Sequence, residues 1–431
     1  MLAFQQPGSM EFLHSDIGSA KDNSKSPIHN WYKFTAGYSH RFVDEIILLE
    51  NLKRKKNSQI FDPFAGCGTT LVSSQKVGIS AVGNEAQEFM YDVIRAKLNW
   101  KLEGSEVKNY LQFIKEEMTE GVADFDKENT PHKLLKTLYT EQTLSKLYLI
   151  KKSILSISSL KYKLFFKLAL SQTLHKVSIH PIAVPYISRN KTLTHTDEPW
   201  EFFESITRQM FTDTIEHFDK KKTSKIFLHD SRIPNKRIED GECNMCITSP
   251  PYLNNLDYGE VSKVHTHFFE ITDNWNDITQ KVRHKLVTGA TTHYSDSEFL
   301  IDEFRKSEFY LSNKIIAEEL IATSITIKSA AEQKSGKKSF DILTLLYFQD
   351  MFDVLNEIRR VVRSRNNAYL ILGDSAPYGI YVPTTEILGR ISQNIGFSSF
   401  NIHKIRTRGT KWKTLKHRHS LELSENVLVL K

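Results

Sequence analysis

Cysteine is scarce. The 431-residue chain has three, too few for a disulfide framework, which points to a reducing compartment. Long apolar runs are also missing: no stretch approaches the ~20 uninterrupted apolar residues of a membrane span, and the mean hydropathy is −0.39. Gly and Pro, at 18 and 12 residues, are too few for a collagen-like or linker protein. The opening MLAFQQPGSMEFLHSDIGS has no basic segment followed by an apolar one and does not read as a signal peptide. These absences make a soluble, cytoplasmic, globular chain with no membrane partner the expectation. Neither sign of charge dominates: 58 Lys and Arg against 51 Asp and Glu leave +7, a mild basic excess that permits a nucleic-acid partner without requiring one. Apolar mass is abundant. With 40% hydrophobic residues, including 26 Phe and 16 Tyr, the chain can build a sizeable core, and wholesale disorder is excluded.

Residues 1–27 lack periodicity and read as a loose leader. In 28–100, an aromatic stretch (Trp31, Tyr32, Phe34, Tyr38) precedes Phe42, Val43, Ile46 and Ile47, whose spacing predicts a helix. IFDPFAGCGTTLVSSQKVG then reads as strand, Gly-containing turn and helix, ISAVGNE as a second strand, and Glu88 to Trp100 as a helix. This βαβα order marks a mostly parallel sheet with covering helices, an α/β fold. Residues 101–224, rich in Lys and Leu, interrupt it as a helical insertion. The strand-then-polar-loop pattern resumes in 225–262 with KIFLHDSRIP and CNMCITSPPY, and 263–340 forms a second interruption. Residues 341–431 complete the domain with the amphipathic LYFQDMFDVLNEIRRVV, the buried strand NAYLILGDS, a helix and two terminal strands. There is no internal repeat; the reading is one α/β domain split by two insertions.

Two loops carry the chemistry. In DPFAGCGTT (62–70) a strand ends in Asp62, glycines at 66 and 68 let backbone approach a ligand without Cβ obstruction, and a helix starts at about Thr69. Glu85 closes the next strand 19 residues after Gly66, near the spacing at which an acid reaches ribose hydroxyls. The loop has no GK[ST] lysine, so a ligand with ribose hydroxyls and a cationic end suits it better than a phosphate. In TSPPY (248–252) two prolines directly after a strand fix φ and remove two N–H donors, leaving rigid free carbonyls. Ser249 adds a hydroxyl and Tyr252 an aromatic face. Rigid acceptors beside a stacking ring suit an extruded nucleobase held by its exocyclic amine.

At these two loops the sequence resembles the S-adenosylmethionine-dependent DNA amino-methyltransferases, DPFAGCGTT looking like motif I and TSPPY like motif IV, the SPPY form being typical of the cytosine-N4 branch. The resemblance covers 28–100 and about 225–431. It implies a Rossmann-like methyltransferase fold, S-adenosyl-L-methionine as cofactor, double-stranded DNA as substrate and a cognate restriction endonuclease as partner. It also implies that Asp62, Phe64, Gly66, Gly68 and Thr69 wrap the cofactor, that Glu85 takes the ribose hydroxyls and that Asp230 in LHDSR contacts the adenine amine. HNWYKFTAGYS looks like the segment that closes over the methionine tail, with Phe34 the contact. Cys67 stands where Ser is commoner, a near-isosteric change. The cofactor half precedes TSPPY, an order in which target recognition falls to 263–340, to the helical insertion or to the C-terminal part.

The implied mechanism needs no covalent enzyme intermediate. Acceptors on the amine hydrogens of cytosine, Ser249 Oγ and the Pro250 carbonyl, with Pro251 and Tyr252 completing the loop, would favour a pyramidal nitrogen as it attacks the sulfonium methyl. No Pro-Cys pair exists, so methylation at ring carbon C5 is disfavoured. C-x-x-C at 243–246 is at most half a zinc site and fits residues alternating along a strand; His265 and His267 fit strand or surface positions; no metal is expected. HKIRTRGTKWKTLKHRH (403–419) carries seven Lys or Arg and no acid, so Lys404, Arg406, Arg408, Lys411 and Lys413 are candidates for phosphate contact. LGDS (372–375) resembles a later motif of the same cleft, although Asp374 can equally cap a turn. Three other functions stay open: adenine-N6 methylation of DNA, guanine-N2 methylation of RNA, and a catalytically silent DNA-binding scaffold.

Overall fold

The computed structural model describes residues 20–34, 36–54, 57–121, 131–182, 187, 191–193, 197–217, 223–253, 257–289, 297–334, 339–408 and 421–431. Seven strands form one sheet: β1 (Gln59–Asp62), β2 (Ser80–Glu85), β3 (Lys225–Leu228), β4 (Met245–Thr248), β5 (Ala368–Gly373), β6 (Phe400–Arg408) and β7 (Leu423–Leu430), in the order β3-β2-β1-β4-β5-β7-β6. The first five are parallel, and β7 runs antiparallel between β5 and β6. The chain moves outward from β1 to β3, then returns to place β4 on the other side of β1. That reversal opens a crevice at the carboxyl ends of β1 and β4, where open α/β sheets bind their ligands.

Alternation along the strands sorts the core into two layers. Ile60, Met245, Ile247, Tyr369, Ile371 and Val427 face one side and pack with Phe42, Val43, Ile46 and Ile47 of α1 (His40–Leu49) and with α2 (Thr69–Lys76). Phe61, Cys246, Leu370, Leu372 and Leu428 face the other, against α15 (Phe340–Val361) and α16 (Thr384–Asn394). α15 starts earlier than the amphipathic segment expected because Phe340–Leu345 continues its apolar face. After α3 (Glu88–Leu98), the first interruption forms α4 (Gly104–Glu120), α5 (Lys133–Leu138), α6 (Glu141–Ser156), α7 (Leu160–Lys176) and α8 (Pro199–His217), with a core of its own around Leu147, Phe165, Phe166 and Phe203.

The segment after β4 closes with α9 (Tyr258–Val261), and the second interruption is helical: α10 (Lys263–Phe268), α11 (Trp275–Asp277), α12 (Ser297–Lys306), α13 (Glu308–Ser312) and α14 (Lys314–Gln333). Here the expectation for two histidines is corrected. His265 and His267 lie on α10, not on a strand or the surface, and both are buried. His265 stacks on Phe89 and meets the Tyr32 hydroxyl, while His267 stacks on His132 with ring centroids 3.8 Å apart. Two further findings qualify the sequence reading. Within residues 20–27, the described end of the expected leader, buried Asn23 donates to the Tyr38 carbonyl and accepts from the His40 amide, while Lys21, Ser24 and Lys25 are exposed. Cys243 precedes β4 on a single bridge to Val362, so the two buried cysteines share one core instead of alternating along a strand. Among the described residues no helix is long and apolar enough to cross a membrane.

Candidate active site

The loop after β1 turns through two left-handed residues, Gly66 (φ 55°) and Gly68 (φ 84°), a region that side chains rarely enter. A Cβ on Gly66 would meet the Phe34 ring at 3.4 Å, so that ring lies directly against the loop. Gly68 makes the entry to α2 and backs onto Ile94. Beneath the loop, the buried ammonium of Lys97 donates to the carbonyls of Cys67 and His29, each at 3.1 Å, pinning the loop to the N-terminal segment. Asp62 is fully buried and already serves three donors: the Phe64 amide (3.0 Å), Thr248 Oγ1 (2.6 Å) and the Tyr38 hydroxyl (3.3 Å). Burial nevertheless raises its pKa to about 6. Glu85, at the end of β2, accepts from the Gly66 amide at 2.8 Å and from the Gln87 amide at 2.9 Å. Desolvation dominates there too and lifts its pKa to about 7.

The loop after β4 forms the opposite wall. Thr248 ties it to β1 through Asp62, and Ser249 Oγ donates to the Ile371 carbonyl at 3.3 Å. With its proton directed there, the hydroxyl keeps its lone pairs for another donor. Among the described residues nothing donates to the Pro250 carbonyl, whereas the Pro251 carbonyl accepts from the Tyr347 hydroxyl at 2.9 Å. Tyr252 is anchored by its hydroxyl to Glu425 at 3.0 Å, and the Arg408 guanidinium lies over its ring, 5.0 Å from the centroid. Burial first, then Glu425, pushes the Tyr252 phenol well above its usual range.

The third wall follows β3. Arg232 forks onto the Asp230 carboxylate and reaches Asp350 and the His284 carbonyl, so Asp230 faces the crevice as half of an ion pair. Ser231 donates to the Pro63 carbonyl at 2.6 Å and accepts from Asn84, which in turn accepts from Asn235. This buried chain fixes the wall after β3 to the loop after β1.

Together the walls enclose a crevice with about 770 Å³ of empty space, part of it continuous with bulk solvent. Phe34, Phe64, Gly66, Thr69, Glu85, Asp230, Ser249 and Pro251, expected as site residues from sequence, all line it. Asp62, Gly68, Pro250 and Tyr252 do not: the first two shape the loop from below, and Tyr252 faces Arg408. Lys404 is exposed on β6, but Arg406 is committed to Glu425 at 2.5 Å. Lys411 and Lys413 lie outside the described residues. Asp374 is occupied by Tyr381, Thr385 and Ser424, a turn-capping role. Sequence reasoning missed Tyr38, Gln87, Met90, Tyr258 and the segment Lys285–Val287 as lining residues. Tyr38 and Tyr258 carried an aromatic signal beside known motifs; Lys285–Val287 carried none. Among the described residues no group of three His, Cys, Asp or Glu could hold a metal ion.

No family model matches the chain. Curated relatives do. It is 22% identical to the Type II methyltransferase M.BsoBI of Geobacillus stearothermophilus over 92% of this chain and 84% of that protein. It is 20% identical to the Type II methyltransferase M.MvaI of Kocuria varians over 90% of this chain and 85% of that one. The same identity links it to M.AvaI of Nostoc sp. over 92% of this chain and 83% of the relative. Along nearly its whole length, insertions included, the chain is therefore similar to Type II methyltransferases.

Proposed function

We propose that the protein is a site-specific DNA methyltransferase that transfers a methyl group from S-adenosylmethionine to the exocyclic N4 of cytosine. The observation that carries this reading is the meeting, in one crevice, of a glycine loop with an acidic ribose-type residue and a loop of oriented oxygen acceptors. The crevice fits the cofactor: Gly66 leaves a cradle that a Cβ would fill against Phe34, and Glu85 is a carboxylate beside it with lone pairs to spare. Phe34, Phe64, Gly66, Thr69 and Glu85 would hold it, with Asp230 at the adenine end. The cofactor supplies an electrophilic sulfonium methyl.

On the facing wall, Ser249 Oγ would accept one amine hydrogen, and the Pro250 carbonyl, next in the loop though not itself part of the crevice lining and without a donor among the described residues, would accept the other. Their pull localises the nitrogen lone pair at the moment of attack, an electrostatic effect already organised before the substrate arrives. Cytosine must leave the helix to reach them, and the Tyr252 ring offers it a stacking face. A ring-carbon mechanism is disfavoured: Cys243 and Cys246 are buried with thiols raised by desolvation, and Cys67, which lines the crevice, sits on the glycine loop proposed for the cofactor rather than after a proline on the base-binding loop. Similarity to Type II methyltransferases supports a restriction-modification setting, with a cognate endonuclease as partner.

The test is product analysis. The gene is expressed in a host free of DNA methylation, the modified positions are mapped, and the nucleosides are identified by mass spectrometry. N4-methylcytosine is expected. N6-methyladenine would transfer the same amine grip to a purine, and 5-methylcytosine would overturn the mechanism.

A further inference from the structure

Arg408 is placed unlike its neighbours. Arg406 is held by Glu425 at 2.5 Å, but Arg408, half-buried at the end of β6, makes no hydrogen bond and no ion pair among the described residues. Its guanidinium instead lies over the Tyr252 ring, 5.0 Å from the centroid. The ring itself is fixed: its hydroxyl bonds Glu425 at 3.0 Å, and Glu425 is anchored in turn by Arg406. Gly373, the last residue of β5, makes room for the pair, since a Cβ there would collide with the Arg408 guanidinium and come within 3.0 Å of the Tyr252 ring. A rigid aromatic platform thus carries a flat cation whose one described contact is its cation–π approach to the ring.

We propose that Arg408 is a placeholder: its guanidinium fills the stacking face of Tyr252 until the extruded base displaces it. The inference rests on the reading of Tyr252 as the base platform. Guanidinium and nucleobase are both planar and both stack on an aromatic face, so one face cannot hold the two at once. A cation stacked without an anionic partner leaves at little electrostatic cost, and the phosphates flanking an extruded nucleotide offer the displaced guanidinium the partner it lacks. Arg408 is then a positioning residue, keeping the platform closed in the absence of DNA.

The experiment titrates a fluorescent deoxycytidine analogue, a nucleoside without phosphate whose emission is quenched on stacking, into the full chain. Wild type, Arg408→Ala, Arg408→Lys and Tyr252→Ala are compared, with cofactor affinity by calorimetry as the check that each variant is folded. Losing the stacked competitor should tighten nucleoside binding about two- to thirtyfold in Arg408→Ala. Arg408→Lys, which keeps the charge but loses the flat face, should show most of that gain. Equal or weaker binding in Arg408→Ala would overturn the placeholder role. Nucleoside binding that persists at wild-type strength in Tyr252→Ala would overturn the platform reading itself, and the placeholder with it.

Discussion

At the scale of single residues, the most informative group is Glu85. Its carboxylate holds the Gly66 amide in a desolvated corner, and burial raises its pKa to about 7. If Glu85 takes the ribose hydroxyls as proposed, only its ionised form would accept from both, so cofactor affinity should fall as pH drops through 7, by up to about tenfold per unit. Calorimetric titration between pH 6 and 8 measures this. Glu85→Gln should bind more weakly at pH 8 but lose the pH dependence, and an unchanged profile in that variant would assign the titration to another group. The sign for stability is opposite. A carboxyl raised on folding favours the folded state while protonated, so its contribution is lost as pH rises from the ordinary Glu range through about 7. The two loop motifs and Glu85 were legible in sequence because chemistry restricts what can stand there. Thr248 and Asp62 show where legibility stops: both sit inside those motifs, yet their mutual bond depends on β1 and β4 being neighbours. Strand order is not written in local spacing.

Among the elements, the sheet and the helical character of the first interruption were legible, and the packing of the second interruption was not, for a physical reason. β1, β4 and β5 are short buried runs bounded by turn residues, a pattern with one reading. Helix α10 reads HTH in sequence, and nothing local says that both imidazoles are buried by partners far along the chain. His265 meets Phe89 of α3, His175 and the Ser171 carbonyl of α7, and the Tyr32 hydroxyl. Desolvation, then the neighbouring His175, pulls its pKa well below the usual value. A histidine that stays neutral when folded but charges when unfolded costs stability as pH falls below about 6.5, at most ~1.4 kcal/mol per unit. The docking of α10 onto the helical insertion should therefore weaken in mild acid. His265→Phe keeps the ring stack and removes the titration, so its unfolding free energy should fall less steeply between pH 7 and 5. A slope equal to that of wild type in urea melts would show that His265 does not contribute to the acid sensitivity.

For the whole molecule, the proposed function raises the question of which charges would meet DNA. The net +7 is too small to act as a uniform field, so contact must be local. Sequence marked 403–419 as the basic run, and the described part of it divides by role. Arg406 neutralises Glu425 and thereby steadies Tyr252, and Arg408 lies on that ring, so removing either disturbs the platform as well as the charge. Lys404 is exposed on the same strand and free to meet phosphate. Replacing Lys404, Lys411 and Lys413 with Gln, while retaining both arginines, isolates the electrostatic share. Each lysine–phosphate pair removed should shallow the plot of log affinity against log salt by about 0.9, because one fewer counterion is released. Removing all three pairs would thus reduce the slope by roughly 2.7. Affinity should fall alike for specific and unrelated duplexes, since phosphates carry no sequence information. Cofactor binding should stay at the wild-type level, because the three substitutions leave every residue of the described crevice lining in place. Fluorescence anisotropy across a salt series measures the slope. An unchanged slope would move the DNA path away from the β6–β7 end of the sheet and towards the helices of the second interruption, whose Lys285 lines the crevice.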